Sequence, residues 1–584
     1  VSIIGGLVYR DPARTVEPAV RDALLPGAMA AESFSRLDIQ GGALAGNGSG
    51  IVSGRSGDAT LMADMDLTNL DELPGSPDGA DLVQCLERFH AQDDTNFVIQ
   101  LRGAFGIALW IPSRRRLVLA ADRLGFRRLY YAVSNQGIAF GSRVKAPLAL
   151  PGLSREIDAD AVYAYLNFGT VPAPQSIYRA VRRLAPGQIL VWENGRVSLH
   201  QYWDVVYSER RLDKSEAART IYGQTAEAVR QTLTGLEAKD TGAFLSGGTD
   251  SSVVVGLMSR LTRERVQAFS IGFQEERYNE LEYAELAARH FAAAHYARIV
   301  TADEALQCLP DIVEAYDEPF GNNSALPAYL CARYAREAGV RVLLAGDGGD
   351  EIFGGNERYR REGILARYHR IPRLLRRGLI EPLARCLPAE APGLTGKARR
   401  YVERASAPNP DRFYSSEFFV SQNRQWLLEP GFLGRITGDW PLRVARGHFV
   451  AAGRTAELNR LPRRSQDHPR RQRPLQGGED GGGGGDRRAF PVPASSARGV
   501  HGHPPRAVQG AGYGEALHLQ ASLPRSSARA DPRQSQARLR VAHERLAQAA
   551  PGLPGAGTGH AALATGPRAW LLRARRPGAA VPAP

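Results

Sequence analysis

The chain has 584 residues, enough for two or three domains around a sizeable core. No apolar run reaches the roughly 18 residues of a membrane span, no charged-then-apolar leader suggests secretion, and Cys85, Cys308, Cys331 and Cys386 match neither a metal-ligand spacing nor a disulfide framework. The net charge of +13 invites a nucleic-acid reading, but residues 462–584 carry 19 Arg, no Lys and 7 acidic residues, so nearly all of the excess sits there. A surface selected for phosphate backbones usually mixes Lys with Arg, so no nucleic-acid partner, no membrane partner and a reducing, cytoplasmic setting are the expectations.

Residues 1–150 alternate short apolar runs with turn signals: Ile3–Tyr9, Phe97–Leu101, Gly106–Trp110, Leu117–Ala120 and Gly137–Phe140. A period near two predicts antiparallel sheets with few long helices. Residues 155–205 read as a connector whose landmark is the turn Leu184–Gln188 before a strand over Ile189–Trp192. From 215 the pattern changes. Helices are predicted around Ala217–Leu233, Ser251–Met258, Glu280–Phe291, Ile312–Tyr316 and Ala325–Ala338, and buried strands over Ala243–Leu245, Val266–Phe273 and Val340–Ala345. Strands alternating with helices predict a parallel sheet with ligands at the carboxyl ends of its strands.

The first of those ends reads Phe244-Leu245-Ser246-Gly247-Gly248-Thr249-Asp250-Ser251-Ser252. A strand, a glycine turn and a helix start gather free backbone N–H groups and a positive helix end at one point, which suits an anion. Asp250 would repel a phosphate there unless a divalent cation bridged them, so the stretch predicts a nucleotide with Mg²⁺, held by its pyrophosphate. It lacks the lysine of a P-loop and the spacing of a dinucleotide fingerprint. A second end carries Ala345-Gly346-Asp347-Gly348-Gly349-Asp350-Glu351, and a third acidic turn is Asp317-Glu318-Pro319-Phe320. Carboxylates facing a phosphate cradle predict metal binding and positioning of a second reactant.

The stretches 244–252, 269–291, 316–340 and 343–359 resemble the synthetase domain of glutamine-dependent asparagine synthetases, and Leu101–Trp110, Asp122–Tyr131 and Phe140–Leu150 are similar to that family's class II amidotransferase domain. The resemblance implies an N-terminal-nucleophile αββα sandwich over 1–205 and an α/β PP-loop domain over 206–461. It implies a reaction in which aspartate and Mg-ATP give β-aspartyl-AMP and pyrophosphate, followed by attack of ammonia from glutamine. Carried over by motif, Ser246, Gly247, Gly248, Asp250 and Ser251 would hold pyrophosphate. Phe244, Ile271, Ala345 and Gly346 would lie along ATP, Asp250 and Asp350 would ligate Mg²⁺, and Asp347 would serve adenylation and amide formation. A homodimer is also compatible with the family.

Two departures matter. The family begins with a cysteine nucleophile whose own α-amine is the base; here Ser2 stands in its place, after Val1 and before Ile3. A serine hydroxyl needs far more help than a thiol to attack an amide near neutral pH, even if loss of Val1 frees its amine. The segment Met62–Asn69 is similar to the glutamine-gripping strand and loop but lacks an Asn-Gly-Glu element. A silent amidotransferase domain is also a feature of the β-lactam synthetases and lasso-peptide cyclases, which adenylate a carboxylate and use an amine already on the substrate. A non-catalytic nucleotide-binding remnant is the third reading.

The second departure is the region 462–584, rich in Arg, Pro, Gly and Ala, with five consecutive glycines at Gly481–Gly485. Its composition reads either as a low-complexity tail or as translation out of frame. With suitable synonymous codons, Ser465–Pro474 read one base off gives Asp-Leu-Lys-Ile-Thr-Leu-Ala-Asp-Asn-Asp, as the family has there. At the same offset, Gly512–Gln520 and Ala537–Arg540 also yield family segments, the first with the lysine-containing stretch that serves the active site in relatives. A chain altered this way would lack the last helices of the synthetase domain and would be unstable or inactive. Sequencing the gene across the codons for Leu461–Arg464 is expected to reveal a one-base slip; an uninterrupted reading frame there would refute it.

Overall fold

The computed structural model describes residues 2–447, except 26–33, 75–78, 93–96, 206–212, 275–279, 354–356, 389–392, 410, 414–419, 421–422, 439–442 and 445. Val1 and the whole of 448–584, including the region read above as out of frame, lie outside the described residues.

The N-terminal half is two stacked six-stranded sheets. The first has the order β10-β8-β9-β1-β3-β2, from β1 (Ile3–Tyr9), β2 (Phe34–Ile39), β3 (Gly42–Asn47), β8 (Tyr130–Val133), β9 (Gly137–Gly141) and β10 (Arg182–Arg183). The second has the order β12-β11-β7-β6-β5-β4, from β4 (Ile51–Ser56), β5 (Ala59–Leu67), β6 (Gly103–Ile111), β7 (Arg116–Ala121), β11 (Gln188–Glu193) and β12 (Arg196–Gln201). The pairings are antiparallel. Alternation along each strand separates two cores. Ile4 and Val8 of β1 meet Ala108 and Trp110 of β6, Leu117 and Leu119 of β7 and Trp192 of β11 between the sheets. Phe105, Ile107, Leu109, Val118 and Val191 point outward, where α2 (Gly79–Gln92) covers them with Leu82, Val83 and Leu86. Leu7 and Tyr9 of β1 face outward under α1 (Pro18–Ala23), packed with Val16, Val20 and Leu24. Helices on both faces make the αββα layering, and cover on both sides explains why whole strands are buried.

Three sequence-based readings change. Phe97–Gln100 is a 3₁₀ turn rather than a strand: Leu101 N–H donates to Val98 O at 3.0 Å, while Phe97 and Val98 are buried. A four-residue apolar run does not by itself distinguish the two. Residues 155–205 are not a connector, since β11 pairs with β7 in the heart of the second sheet and α3 (Ala159–Phe168) packs on the first. The 14-residue α2 is a longer helix than the strand-like pattern predicts.

The second half holds a four-stranded parallel sheet of order β15-β14-β13-β16: β13 (Thr241–Phe244), β14 (Gln267–Phe273), β15 (Ala294–Val300) and β16 (Val342–Leu344). The helices between are α4 (Lys214–Leu233), α5 (Thr249–Leu261), α6 (Leu281–His290), α7 (Ala302–Gln307), α8 (Leu309–Tyr316), α9 (Ala325–Glu337) and then α10 (Gly349–Phe353). Val253, Val254, Leu257 and Met258 of α5 bury against Ala243, Leu245, Ala268 and Leu344. Strand β15 escapes sequence reading because it is the sheet edge; Tyr296, Ala297, Arg298 and Ile299 are exposed, so no buried apolar run marks it.

Phe105 is completely buried in the outer core of the sandwich. Phe105→Ala is expected to cost about 3–5 kcal/mol of stability, read as a lower denaturant midpoint at unchanged slope.

Candidate active site

The glycine turn lies between β13 and α5, as the sequence predicts. Its backbone is knitted by its own serines. Ser246 N–H donates to Ser251 Oγ at 3.2 Å, Gly248 N–H donates to Ser246 Oγ at 3.3 Å, and the two hydroxyls lie 3.0 Å apart. The Ser251 and Ser252 hydroxyls both donate to Gly248 O, at 3.2 and 2.7 Å. Gly247 has φ +82°, and a Cβ there would sit 2.6 Å from Ala284 N and Tyr283 Cβ at the start of α6. Both the dihedral and the space therefore require glycine. Ser246, Gly248 and Thr249 are exposed, so the turn is open to a ligand.

The second strand end meets the first. A Cβ on Gly346 would lie 2.8 Å from both Asp250 C and Ser251 N, and 3.0 Å from Asp250 Cβ. The crossing between β16 and α10 thus rests directly on the first turn of α5. Asp347, next in the chain, is exposed, and Ala345 and Gly346 are half-buried. Phe244 and Ile271 are both half-buried against one cluster of Phe269, Cys331, Ala335, Val340 and Leu343. The structure therefore brings Phe244, Ser246, Gly247, Gly248, Asp250, Ser251, Ile271, Ala345, Gly346 and Asp347 to the carboxyl edge of one sheet. Asp350 is the second residue of α10, two residues after Gly348, with its side chain outside the described residues.

Among the described residues no group of three or more His, Cys, Asp or Glu is placed to hold a metal ion. One carboxylate at a solvent-open turn fits a magnesium ion that keeps phosphate oxygens and water as its other ligands, and does not fit an all-protein cage. A cavity lined by Arg230, Thr234, Met258 and Val266 opens at the opposite, amino end of the strands. It lies away from the glycine turns.

Behind the turn is a strut that the sequence did not single out. Ser270 on β14 donates its hydroxyl proton to Leu245 O, the carbonyl just before the turn, and lies 2.7 Å from His295 Nε2 on β15. With its proton committed to Leu245, Ser270 accepts from His295, which fixes the Nε2–H tautomer of a neutral ring. Burial holds the His295 pKa below its usual value, opposed by Glu285.

The acidic turn 317–320 does not face the cradle. Its carboxylates bind the N-terminal sandwich. Glu318 Oε2 accepts from Tyr130 OH at 2.6 Å and lies 3.8 Å from Arg183 Nη1, while Oε1 accepts from Ile177 N–H at 2.9 Å. Asp317, at φ +64°, accepts from Val144 N–H. Arg143 Nη1 donates to Glu314 O at 2.9 Å, and Gly321 N–H donates to Gly169 O at 2.7 Å. Expecting three acidic turns at one site overlooked that a carboxylate next to a proline can serve a seam between domains.

In the sandwich, Ser2 is buried at the entry to β1, and its Oγ accepts from Gly50 N–H at 2.9 Å. Asp64, in the segment similar to a glutamine-gripping strand, is buried and lies 3.3 Å from Arg127 Nε. Asp122 organises the following loop, accepting from the N–H groups of Leu124, Phe126, Arg127 and Phe105 at 2.9–3.3 Å. Burial raises its pKa despite those donors.

Residues 221–473 match the asparagine synthase family model and residues 81–203 match the glutamine amidotransferase domain. The chain carries both domains of the asparagine synthetase family. It is 28% identical over 332 residues to glutamine-hydrolysing asparagine synthetase 1 of Bacillus subtilis, covering 56% of this chain and 51% of that protein. It is 33% identical over 357 residues to a Mycobacterium tuberculosis protein provisionally named for the same enzyme, covering 58% and 52%. The chain thus spans about half the length of these relatives. Among solved structures, the ammonia-dependent NAD synthetase of Campylobacter jejuni overlaps 42% of this chain and 97% of its own, at 15% identity and a TM-score of 0.19. The antiparallel sandwich and the parallel sheet described above are the two layer types that the sequence predicts for these two parts of the chain.

The strut predicts a pH effect. Because the folded pKa of His295 is depressed below 6.5, its stabilising contribution is present above pH 6.5 and is lost as pH falls through the lower folded value. Denaturant midpoints of the wild type should therefore drop between pH 7.5 and 5.5 more than those of His295→Gln; equal drops would remove His295 from the strut.

Proposed function

We propose that this chain is an ATP-dependent amide ligase of the asparagine synthetase type, which activates a carboxylate by adenylation and passes the acyl group to an amine. The observation that carries this reading is the seating of Gly346 on Asp250 and Ser251, which puts two glycine-rich strand ends within one ligand's reach. A turn of serine hydroxyls and helix N–H groups suits a pyrophosphate, and half-buried Phe244 and Ile271 offer apolar surface beside it.

In the proposed reaction a carboxylate oxygen bonds to the α-phosphorus as the bond to the β-phosphate oxygen breaks. Pyrophosphate leaves into the Ser246–Ser251 turn. Ammonia then attacks the acyl carbon and AMP departs. Asp250 and Asp350 would hold Mg²⁺, which supplies charge neutralisation on the phosphates. Asp347, exposed beside the turn, is positioned to orient the amine or the acyl carbonyl in the second step. Such chemistry depends on in-line positioning and charge more than on a strong base. Aspartate is the proposed acyl substrate and ammonia the nitrogen donor.

Glutamine is a weak or absent donor in this reading. Ser2 stands in the nucleophile's place, and its oxygen already accepts Gly50 N–H inside a buried pocket. That favours a second reading, in which the amine belongs to the substrate itself, as in β-lactam synthetases or lasso-peptide cyclases.

The test incubates the frame-repaired protein with Mg-ATP and aspartate, with either ammonia or glutamine, and measures pyrophosphate. Release with ammonia and not with glutamine is expected, and Gly346→Ala, whose methyl would push Asp250 aside, should abolish it. Release that requires a carboxylate other than aspartate would move the assignment to the second reading. Mg-ATP binding with no pyrophosphate release from any carboxylate would leave the non-catalytic nucleotide-binding remnant.

A further inference from the structure

Four separate pieces of the N-terminal sandwich converge on the turn that ends α8: Tyr130 of β8, the Arg143–Val144 segment after β9, the Ile177 backbone and Arg183 of β10. The Glu318 side chain at their centre is only 5% exposed. Burial first, and the adjacent Glu318 carboxylate second, push the Tyr130 phenol up to about 12, so it stays a donor across the working pH range. A buried carboxylate held by three partners is costly to assemble and has one geometry. It is more than a tether needs.

The turn leads back into the synthetase half. Tyr316, immediately before it, stacks on Phe320 with ring centroids 4.4 Å apart. Tyr316 also packs on the cluster of Val300, Cys308, Ile312, Tyr329 and Leu330, which Ile271 shares. Ile271 in turn packs beside Phe244 at the cradle. Burial pushes the Tyr316 phenol up, with smaller opposing influences from Arg128 of the sandwich and from Asp347. A run of packed groups therefore connects the sandwich to Phe244 and Leu343, on the strands that lead into the two glycine turns.

We propose that the amidotransferase-like domain, whatever its own chemistry, positions the synthetase site by clamping Glu318, with Glu318 and Tyr130 acting as positioning residues for the Ala345–Gly348 crossing through Tyr316 and Ile271. The sandwich is then retained as the wall that sets the conformation of the α8–α9 turn. Asp317 holds a left-handed φ of +64° there because Val144 N–H engages its carboxylate. An Asp side chain tolerates that region better than most, but the region still needs an outside partner to persist. The proposal rests on the adenylation reading only for its catalytic consequence.

Hydrogen–deuterium exchange on the full chain tests it, comparing the wild type with Glu318→Ala, Glu318→Gln and Tyr130→Phe, and with Glu227→Ala on the exposed face of α4 as a control. Glu318→Ala should raise exchange at the seam and also, by about threefold, across residues 342–349. Glu318→Gln, which keeps an acceptor for Ile177 N–H, should return 342–349 most of the way to the wild-type rate, as a mere loss of bulk would not. Tyr130→Phe removes one hydroxyl and carries the test if Glu318→Ala does not fold; the same pattern at lower amplitude is expected. Faster exchange confined to 175–183 and 314–321, with 342–349 unchanged, would overturn the proposal. Where the wild type binds Mg-ATP, Glu318→Ala should also weaken that binding about tenfold. A wild type that binds no Mg-ATP counts against the adenylation reading, and the exchange pattern still decides this one.

Discussion

The contact between Gly346 and the first turn of α5 is the constraint on which the rest of the synthetase half depends. With no side chain at 346, the chain leaving β16 passes within van der Waals distance of the backbone at Asp250 and Ser251. Any larger residue would wedge the two strand ends apart. The parallel pairing of β13 with both β14 and β16 sets the height at which that contact occurs, in register Ala243 with Ala268 and with Leu344. Sheet, helix start and acidic loop are thus a single rigid unit. The sandwich contributes a second rigid unit, and Glu318 is where the two are fastened.

Much of this was legible in the residues themselves. The period near two marked Ile3–Tyr9 as an antiparallel strand, and in the fold Ile4 and Val8 face one core while Leu7 and Tyr9 face the other. The order strand, Ser-Gly-Gly, helix at 241–261 folded as read, within two or three residues at each boundary. The failures share a cause. Edge strands such as β15 bury little, so their side chains carry no periodic apolar signal. The run Phe97–Leu101 has three residues, Phe97, Val98 and Leu101, buried in one core because a tight turn, and not a pleat, presents them.

The candidate site was legible where composition was unusual. Two glycine-rich acidic turns at strand ends have few structural uses, and both lie where an α/β sheet binds its ligands. The Ser270–His295 strut was invisible for the opposite reason: a serine inside a strand and a histidine twenty-five residues later have no local pattern, and only the parallel register brings them to 2.7 Å. The acidic turn at Asp317 shows that sequence reading identifies reactive side chains better than it identifies what they face. Its carboxylates are no less committed than those at the cradle, but their partners come from residues 130–183, beyond the reach of any local pattern.

The serines of the turn also bear on turnover. Ser246 and Ser251 satisfy one another and the backbone around them when no anion is present. A hydroxyl can reverse its proton by rotating about one bond, serving as acceptor to a neighbouring N–H at one moment and as donor to an oxyanion the next. The two hydroxyls can therefore exchange partners by bond rotation, while the N–H groups of the first turn of α5 are what an anion would engage. In the proposed reaction, hydroxyls of this kind would let the turn grip pyrophosphate and release it by a bond rotation.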